Sequence, residues 1–357
     1  ELSRTINSDK RYYLDENTIE NAASFLQTMR VFNDAKIDLY NALYDQKYLV
    51  SGPLIDHAYP VFLKEKYKTN DYYNAAVYSA ASGSISSQKE LKKYYSTTIT
   101  ADLKTRDEKI KMLQETLDKK KAVKNSIRIY RKDGRWVTPY PRCQLKVKGL
   151  MIVLFNKTIV KLDEYERSVE ADIRKLKTRL ALVTEARRQK EKKLENIKNL
   201  PPERIVFGGK KLYSEKDTVG ITKSAEDNKT SQKALKEWKQ DFFEKRHQSM
   251  ALPGRHTSKY GNFLCKYDGK DLSVTCIDGT TTVFHDFKLP RYNEAFQNNF
   301  TCKPEDRQSI CYNFTVKRDR KNRQYIIVSV NMKLQAYENS YYGNGAISMD
   351  TVSYTHL

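Results

Sequence analysis

From Leu162 to Val183, apolar side chains step by three, four, four, three, four and three residues through Tyr165, Val169, Ile173, Leu176 and Leu180. That spacing winds one stripe down one face of an α-helix, a seam of coiled-coil type that has to be covered. The same helix carries nine basic residues between Arg174 and Lys193 (Arg174, Lys175, Lys177, Arg179, Arg187, Arg188, Lys190, Lys192 and Lys193) against two acids, Glu185 and Glu191. Its open face therefore reads as a positive rail. A run of charge on a helix is either a solvated face or a phosphate contact, and the excess of one sign shifts the reading toward phosphate.

The imbalance extends to the whole chain. Its 357 residues hold 65 Lys and Arg against 44 Asp and Glu, a net +21, while 39% remain apolar. This length corresponds to roughly two or three domains with real cores, which excludes a disordered tail and a small disulfide scaffold. Charge of this size implies a polyanionic partner, nucleic acid first and an anionic membrane second. The longest apolar run, residues 150–155, is far short of the roughly 20 needed to span a bilayer, and no signal peptide opens the chain. The expectation is a cytoplasmic protein with no membrane partner.

Five cysteines (Cys143, Cys265, Cys276, Cys302, Cys311) include no Cys-x-x-Cys pair, so neither a disulfide framework nor a zinc ribbon is encoded. Cys265 and Cys276, in strand-like segments, read as reduced core residues. Five histidines lie without ligand spacing. The 25 tyrosines supply packing residues, or faces on which bases can stack beside lysines. No small-molecule substrate and no cofactor-binding residue is evident.

The expected fold class is α+β and multidomain. A helix is expected from an N-cap at Asn17, with Ile19, Ala22, Leu26, Met29, Ala35, Leu39 and Leu43 on its stripe, broken at Ser51-Gly52-Pro53. Further helices are expected over 55–67, interrupted near Pro60, over 71–81, and, after a Ser-rich gap at 82–87, over 88–128. Together they make an N-terminal helical bundle. After the long basic helix, Ile205-Val206-Phe207 reads as a short strand and residues 231–250 as an amphipathic helix with Leu235, Trp238 and Phe242 on one stripe. Asp268-Gly269 and Asp278-Gly279 are hairpin turns between strands at 263–267, 272–277 and 281–287, and a second hairpin pairs 312–318 with 325–334. Five such strands suit a small barrel of the oligonucleotide-binding sort or a plain antiparallel sheet.

Gly208-Gly209-Lys210-Lys211 lacks the spacing of a Walker loop or dinucleotide fingerprint. Its glycines let backbone amides approach a phosphate, and Lys210 and Lys211 add point charge; the bland reading is a surface turn. Arg246, Arg255 and Lys259 around Pro253-Gly254 admit the same two readings. Residues 345–350 form a strand-like run ending in Asp350, where a carboxylate can hold Mg²⁺ or simply end a turn.

The order of these parts resembles a known family. A Tyr-rich helical bundle is followed by Pro139-Tyr140-Pro141 with Gln144-Leu145-Lys146-Val147, then by Ile173-Arg174-Lys175-Leu176-Lys177-Thr178-Arg179-Leu180. Phe207-Gly208-Gly209-Lys210-Lys211-Leu212, Trp238 with Arg246, Gly254-Arg255 and Gly261-Asn262 come next, and Gly345-Ala346-Ile347-Ser348-Met349-Asp350 closes the set. In this the chain resembles the N-terminal and central part of TnpB-type (OrfB-like) transposon-encoded proteins, relatives of the compact type V CRISPR effectors. The resemblance implies an RNA-guided, Mg²⁺-dependent DNA endonuclease whose partners are a guide RNA and target DNA, with sequence read by base pairing.

The resemblance divides the chain into a remnant strand segment at 1–13, a helical recognition domain at 14–130, a basic loop and strand linker at 131–160, and the long basic helix at 161–204. A wedge-like α+β domain at 205–340 and the first strand of a truncated RNase H-like (RuvC) domain at 341–351 follow. Asp350 would be the first catalytic and metal-holding acid. Arg174, Lys175, Arg179, Lys210, Lys211, Arg246, Arg255 and Lys259 would contact nucleic acid. The family also needs a later Glu and Asp, and its pattern after the Asp differs from Val352-Ser353-Tyr354-Thr355-His356-Leu357. Those six residues equal one reading frame of a common transposase-based sequencing adapter, so 352–357 are expected not to be the protein's own and the chain to be a fragment that binds but does not cut. The alternative is a non-catalytic nucleic-acid-binding or assembly protein that pairs through the 162–183 seam.

Overall fold

In a computed structural model the described residues are 2–49, 55–154, 156–219, 225–290 and 292–334. They form an α+β chain that divides into two compact units, one made of Glu1–Ser84 with Arg204–Leu357 and one of Ile85–Glu203. Residues 14–130, expected to form one helical domain, are therefore shared between the units. The strand expected at 341–351, Asp350 and the segment 352–357 lie outside the described residues.

The first unit is built on two antiparallel sheets. In the five-stranded sheet β1 (Leu2–Asn7), β12 (Gln324–Leu334), β11 (Cys311–Arg318) and β7 (Ser249–Leu252) lie in that order, with β2 (Tyr12–Tyr13) also on β12. The four-stranded sheet runs β3 (Ile19–Glu20), β10 (Thr281–Phe284), β9 (Leu272–Thr275) and β8 (Cys265–Tyr267). Both pairing paths are open among the described residues. The Asp-Gly turns join β8 to β9 and β9 to β10 as their sequence demands. Asp319 holds the β11–β12 turn by accepting the amides of Lys321 and Arg323 at 2.8 and 2.9 Å.

Helix α1 (Ala22–Tyr48) ties the two sheets together. Its Phe25 meets Phe284 of β10 at 5.2 Å and Phe314 of β11 at 5.0 Å, ring centre to ring centre, and all three rings are fully buried. Such edge-on contacts add to the burial of large apolar surface. Helix α1 begins at Ala22 and not at Asn17: Ile19 and Glu20 pair with Phe284 and Val283, and the chain turns at Asn21 with a left-handed φ of 54°. Ile19 fits the helical period, but the sheet claims it. Cys265 and Cys276 are buried, and all five cysteines are free.

Four other expectations are corrected. Helix α2 (Ile55–Tyr67) runs through Pro60, which stands so near its start that the bond lost to the ring leaves only about one turn upstream. The Ser-rich stretch is not a gap, because α3 (Asp71–Asp133) is continuous over 63 residues. The hydroxyls of Ser82 and Ser84 donate to the carbonyls of Tyr78 and Ala80 at 2.7 and 2.8 Å, so the serines satisfy themselves inside the helix. Residues 205–207 make no strand; Phe207 packs edge-on against Tyr40 at 5.2 Å, and the Ile205 amide donates to the Tyr40 hydroxyl. The helix expected at 231–250 is α6 (Ala225–Arg246), and Met250 belongs instead to β7.

One polar joint in the first unit has a measurable pH signature. His285 sits between Asp271 (2.9 Å) and Glu20 (3.0 Å). The hydrogen bond to Asp271, with that to Glu20 and both charges, outweighs partial desolvation and raises its pKa, while hydrogen bonds from the Asp286 amide and His285 hold Asp271 below its usual range despite desolvation. A raised histidine stabilises fully below its unfolded value of about 6.5, and that contribution fades as pH rises through the folded value. His285→Gln should therefore lower the melting temperature more at about pH 5.5 than at about pH 8.5. Equal losses at both would show that the joint carries no charge.

The second unit is a helical hairpin with a small sheet at one end. The later part of α3 runs antiparallel to α4 (Leu162–Asn199), and β4 (Lys146–Lys148), β5 (Met151–Val153) and β6 (Ile159–Lys161) form a meander between them in sequence. Leu162, Val169 and Ile173 of the seam are buried with Leu117, Val123 and Ile127 of α3 and Ile152 of β5, and Tyr165, Leu176 and Leu180 pack against that cluster. From Leu162 to Leu180 the stripe thus packs within the chain.

Ion pairs specify the antiparallel register. The acidic first half of α4 faces basic residues of α3, through Arg131 with Asp163 and Glu166, Lys124 with Glu170 (2.6 Å) and Lys120 with Asp172 (2.7 Å). The basic second half faces acids, through Arg187 with Asp107 and Lys190 with Asp102. Exposed pairs such as these are screened by water and add little stability, so together they select orientation more than they stabilise.

Candidate nucleic-acid interface

Charge is divided unevenly between the units. Residues 85–203 hold 31 Lys and Arg against 16 Asp and Glu, so 119 residues carry +15 of the chain's +21. An elongated hairpin, with α4 alone about 57 Å long at 1.5 Å per residue, spreads that charge along a line. This distribution suits a polyanion that is itself a rod.

On α4 the sequence-expected residues Arg174, Lys175 and Arg179 are all exposed. Lys175 and Arg179 are four apart and Arg174 and Lys177 three apart, so the cations form two short rows on the side away from the seam. The side chains of Lys175, Lys177, Arg179 and Lys193 have no hydrogen bond or ion pair among the described residues. Like charges three and four apart repel, and a bound polyanion relieves that cost. The rest of the expected rail is partly committed: Arg187 pairs with Asp107 and Glu191, Arg188 with Glu185 and Lys190 with Asp102. The unpaired cations of α4 are thus Lys175, Lys177 and Arg179 in its middle and Lys193 near its end, rather than the whole rail.

The other five residues lie in the first unit. Gly208 and Gly209 take φ of 97° and 102°, a conformation that side chains resist, and deliver the chain into α5 (Lys210–Val219), so exposed Lys210 and Lys211 open that helix. Helix α5 packs on α6 through Trp238, whose indole N–H donates to the Leu212 carbonyl at 2.6 Å and whose ring stacks on Phe242 at 5.4 Å. Arg246, at the end of α6, is half-buried. Its charge reaches Asp38, whose carboxyl is held below its ordinary value, against its burial, by hydrogen bonds from Lys66 and Tyr67 and by the charges of Lys66 and Arg246.

Arg255 and Lys259 stand exposed on a loop whose interior is tightly made. The Asn262 amide donates to the carbonyls of Leu252, Pro253 and Ile310, and its oxygen accepts the amides of Leu264 and Cys265. The Gly254-Arg255 and Gly261-Asn262 motifs are therefore structural at their glycines and asparagine, and they present Arg255 outward. Beside them Tyr72 stacks on Phe263 at 4.6 Å, and both line a cleft of about 230 Å³ with Arg255.

Sequence reasoning missed a second group. Arg30 of α1, Lys245 of α6 and Lys317 of β11 are exposed around a cleft of about 720 Å³ floored by Met29, Phe243 and Val316. In that cleft Arg318 grips Glu244 with two contacts of 2.7 Å. No local signal joins these cations, because they come from three distant segments.

Among the described residues no group of three or more His, Cys, Asp or Glu could hold a metal ion. With Asp350 outside them, the described residues do not fit a magnesium site and no catalytic step follows from them. No described helix is long and apolar enough to cross a membrane. Comparison with known proteins finds no matching family model, no matching curated protein and no matching solved structure.

Proposed function

We propose that this chain is the nucleic-acid-gripping part of a transposon-encoded, RNA-guided DNA endonuclease of TnpB type, acting in a prokaryotic cytoplasm. The observation that carries the reading is the +15 concentrated on the hairpin of residues 85–203, with exposed Arg174 and the unpaired Lys175, Lys177 and Arg179 on its open side. The ordered motif set from Pro139 to Asp350 supplies the family. In this reading the hairpin and the exposed Lys210, Lys211, Arg255 and Lys259 hold a guide RNA and its heteroduplex by their phosphates, and base pairing reads sequence. Cleavage belongs to a Mg²⁺ site of the complete protein that includes Asp350.

The test is binding of this chain to a structured RNA across a salt series. With six to ten phosphate contacts, affinity should fall by about 10³ or more between about 50 and 200 mM salt, and no strand should be cut. Salt-independent binding, or none, refutes the reading.

A further inference from the structure

The meander at the end of the hairpin has two unlike faces. Register places Val147, Ile152 and Val160 side by side on one face, and Ile152 is fully buried there. The other face carries Lys146, Lys148 and Lys161 around Met151 and Ile159, the latter 61% exposed. At its rim Leu150 is 81% exposed. Between Asp133 and Asp163 there is no acidic residue and there are six basic ones.

Leu150 is held in place rather than left loose. It is the second residue of a two-residue turn whose first, Gly149, has φ 58°, the glycine-first pattern of a primed hairpin turn. The Leu150 carbonyl accepts the Leu162 amide at 2.9 Å, and the Gly149 carbonyl accepts the Tyr130 hydroxyl at 3.2 Å. A leucine fixed in water with lysines about it has given up chain entropy without burying its side chain, which fits preorganisation for a partner.

We infer that the β4–β5 turn is an apolar wedge against an exposed base step at the end or junction of a nucleic-acid duplex. Leu150 and Met151 abut the base faces, and Lys146, Lys148 and Lys161 sit on the flanking phosphates. Apolar side chains beside cations are the means by which proteins open base steps. Strands about 4.8 Å apart make the face roughly 10 Å across, the scale of one base pair. The inference rests on the nucleic-acid reading above, and charge favours that partner because the hairpin bearing the turn continues the same excess of cations.

The experiment uses the whole chain and two RNA duplexes of equal length, one blunt with 2-aminopurine in its terminal pair, the other closed by loops at both ends. The chain should prefer the blunt duplex and raise its 2-aminopurine fluorescence. Leu150→Ser, at an exposed site, should abolish the rise and cost about tenfold in affinity for the blunt duplex alone, the worth of burying one leucine. Changing Lys146, Lys148 and Lys161 to Gln should make the salt slope shallower by about two. Binding without end preference or fluorescence change overturns the wedge and leaves the nucleic-acid reading standing; no binding to either duplex refutes both. Capture by phosphatidylserine vesicles that Leu150→Ser abolishes, with RNA binding unchanged, would assign the turn to a lipid surface and overturn the wedge.

Discussion

Changing Arg174, Lys175, Lys177 and Arg179 together to Gln should weaken RNA binding roughly 100-fold at about 0.15 M salt and make the log–log salt slope shallower by about three. Each phosphate contact contributes about 0.7–0.9 to that slope through released counterions, so four of them account for the change. The four side chains are exposed and away from the seam, so the fold should survive and circular dichroism should not move. The informative comparison is Arg187, Arg188 and Lys190 changed in the same way. These are already paired with Asp107, Glu185, Glu191 and Asp102, so the second triple should change the slope by less than one. An unchanged slope in the first variant would remove the middle of α4 from the interface.

Gly254→Ala should be the most damaging single methyl in the first unit. A Cβ there would stand 2.2 Å from the Ile310 nitrogen, 2.4 Å from its oxygen and 2.6 Å from the Gly261 oxygen. All three are backbone atoms, so no side chain can swing aside. The loop would have to leave the start of β11, breaking the 2.9 Å bond from the Ile310 amide to the Gly261 carbonyl and the grip of Asn262 on Ile310. Overpacking and lost buried hydrogen bonds together cost about 3 kcal/mol or more, a fall of roughly 6–12 °C in a unit of this size. Arg255→Ala next door should leave the melting temperature alone and weaken RNA binding. A tolerated Gly254→Ala would mean that the loop can stand off from β11.

These contrasts show what the residue pattern could and could not reveal. The α4 seam and the Asp-Gly hairpins were legible because each is set by spacing within a few residues. The pairing of Ile19 with Phe284 was not, since Ile19 satisfies the helical period equally well and only a strand more than 260 residues away decides the matter. Serines at 82–87 read as a break because they favour turns, yet their hydroxyls can also bond back into the helix that carries them. For the candidate interface, the exposed cations Arg174, Lys175 and Arg179 were readable from the local excess of charge. The commitment of Arg187 and Lys190 to Asp107 and Asp102 was hidden, because it depends on a partner helix about 80 residues upstream. Arg246 shows the limit from the other side, since its motif position said nothing of its proximity to Asp38.

The pairing of β1 with β12 sets a schedule for the nascent chain. Leu2–Asn7 leaves the ribosome some 320 residues before Gln324–Leu334, and at about 5–20 residues per second that is a wait of roughly 15–60 s with a strand edge unsatisfied. The hairpin of residues 85–203 needs no such partner and closes within its own stretch of synthesis. Translation speed and chaperone cover over the first sheet strands, rather than the stability of the finished protein, should therefore decide how much of it is recovered in native form.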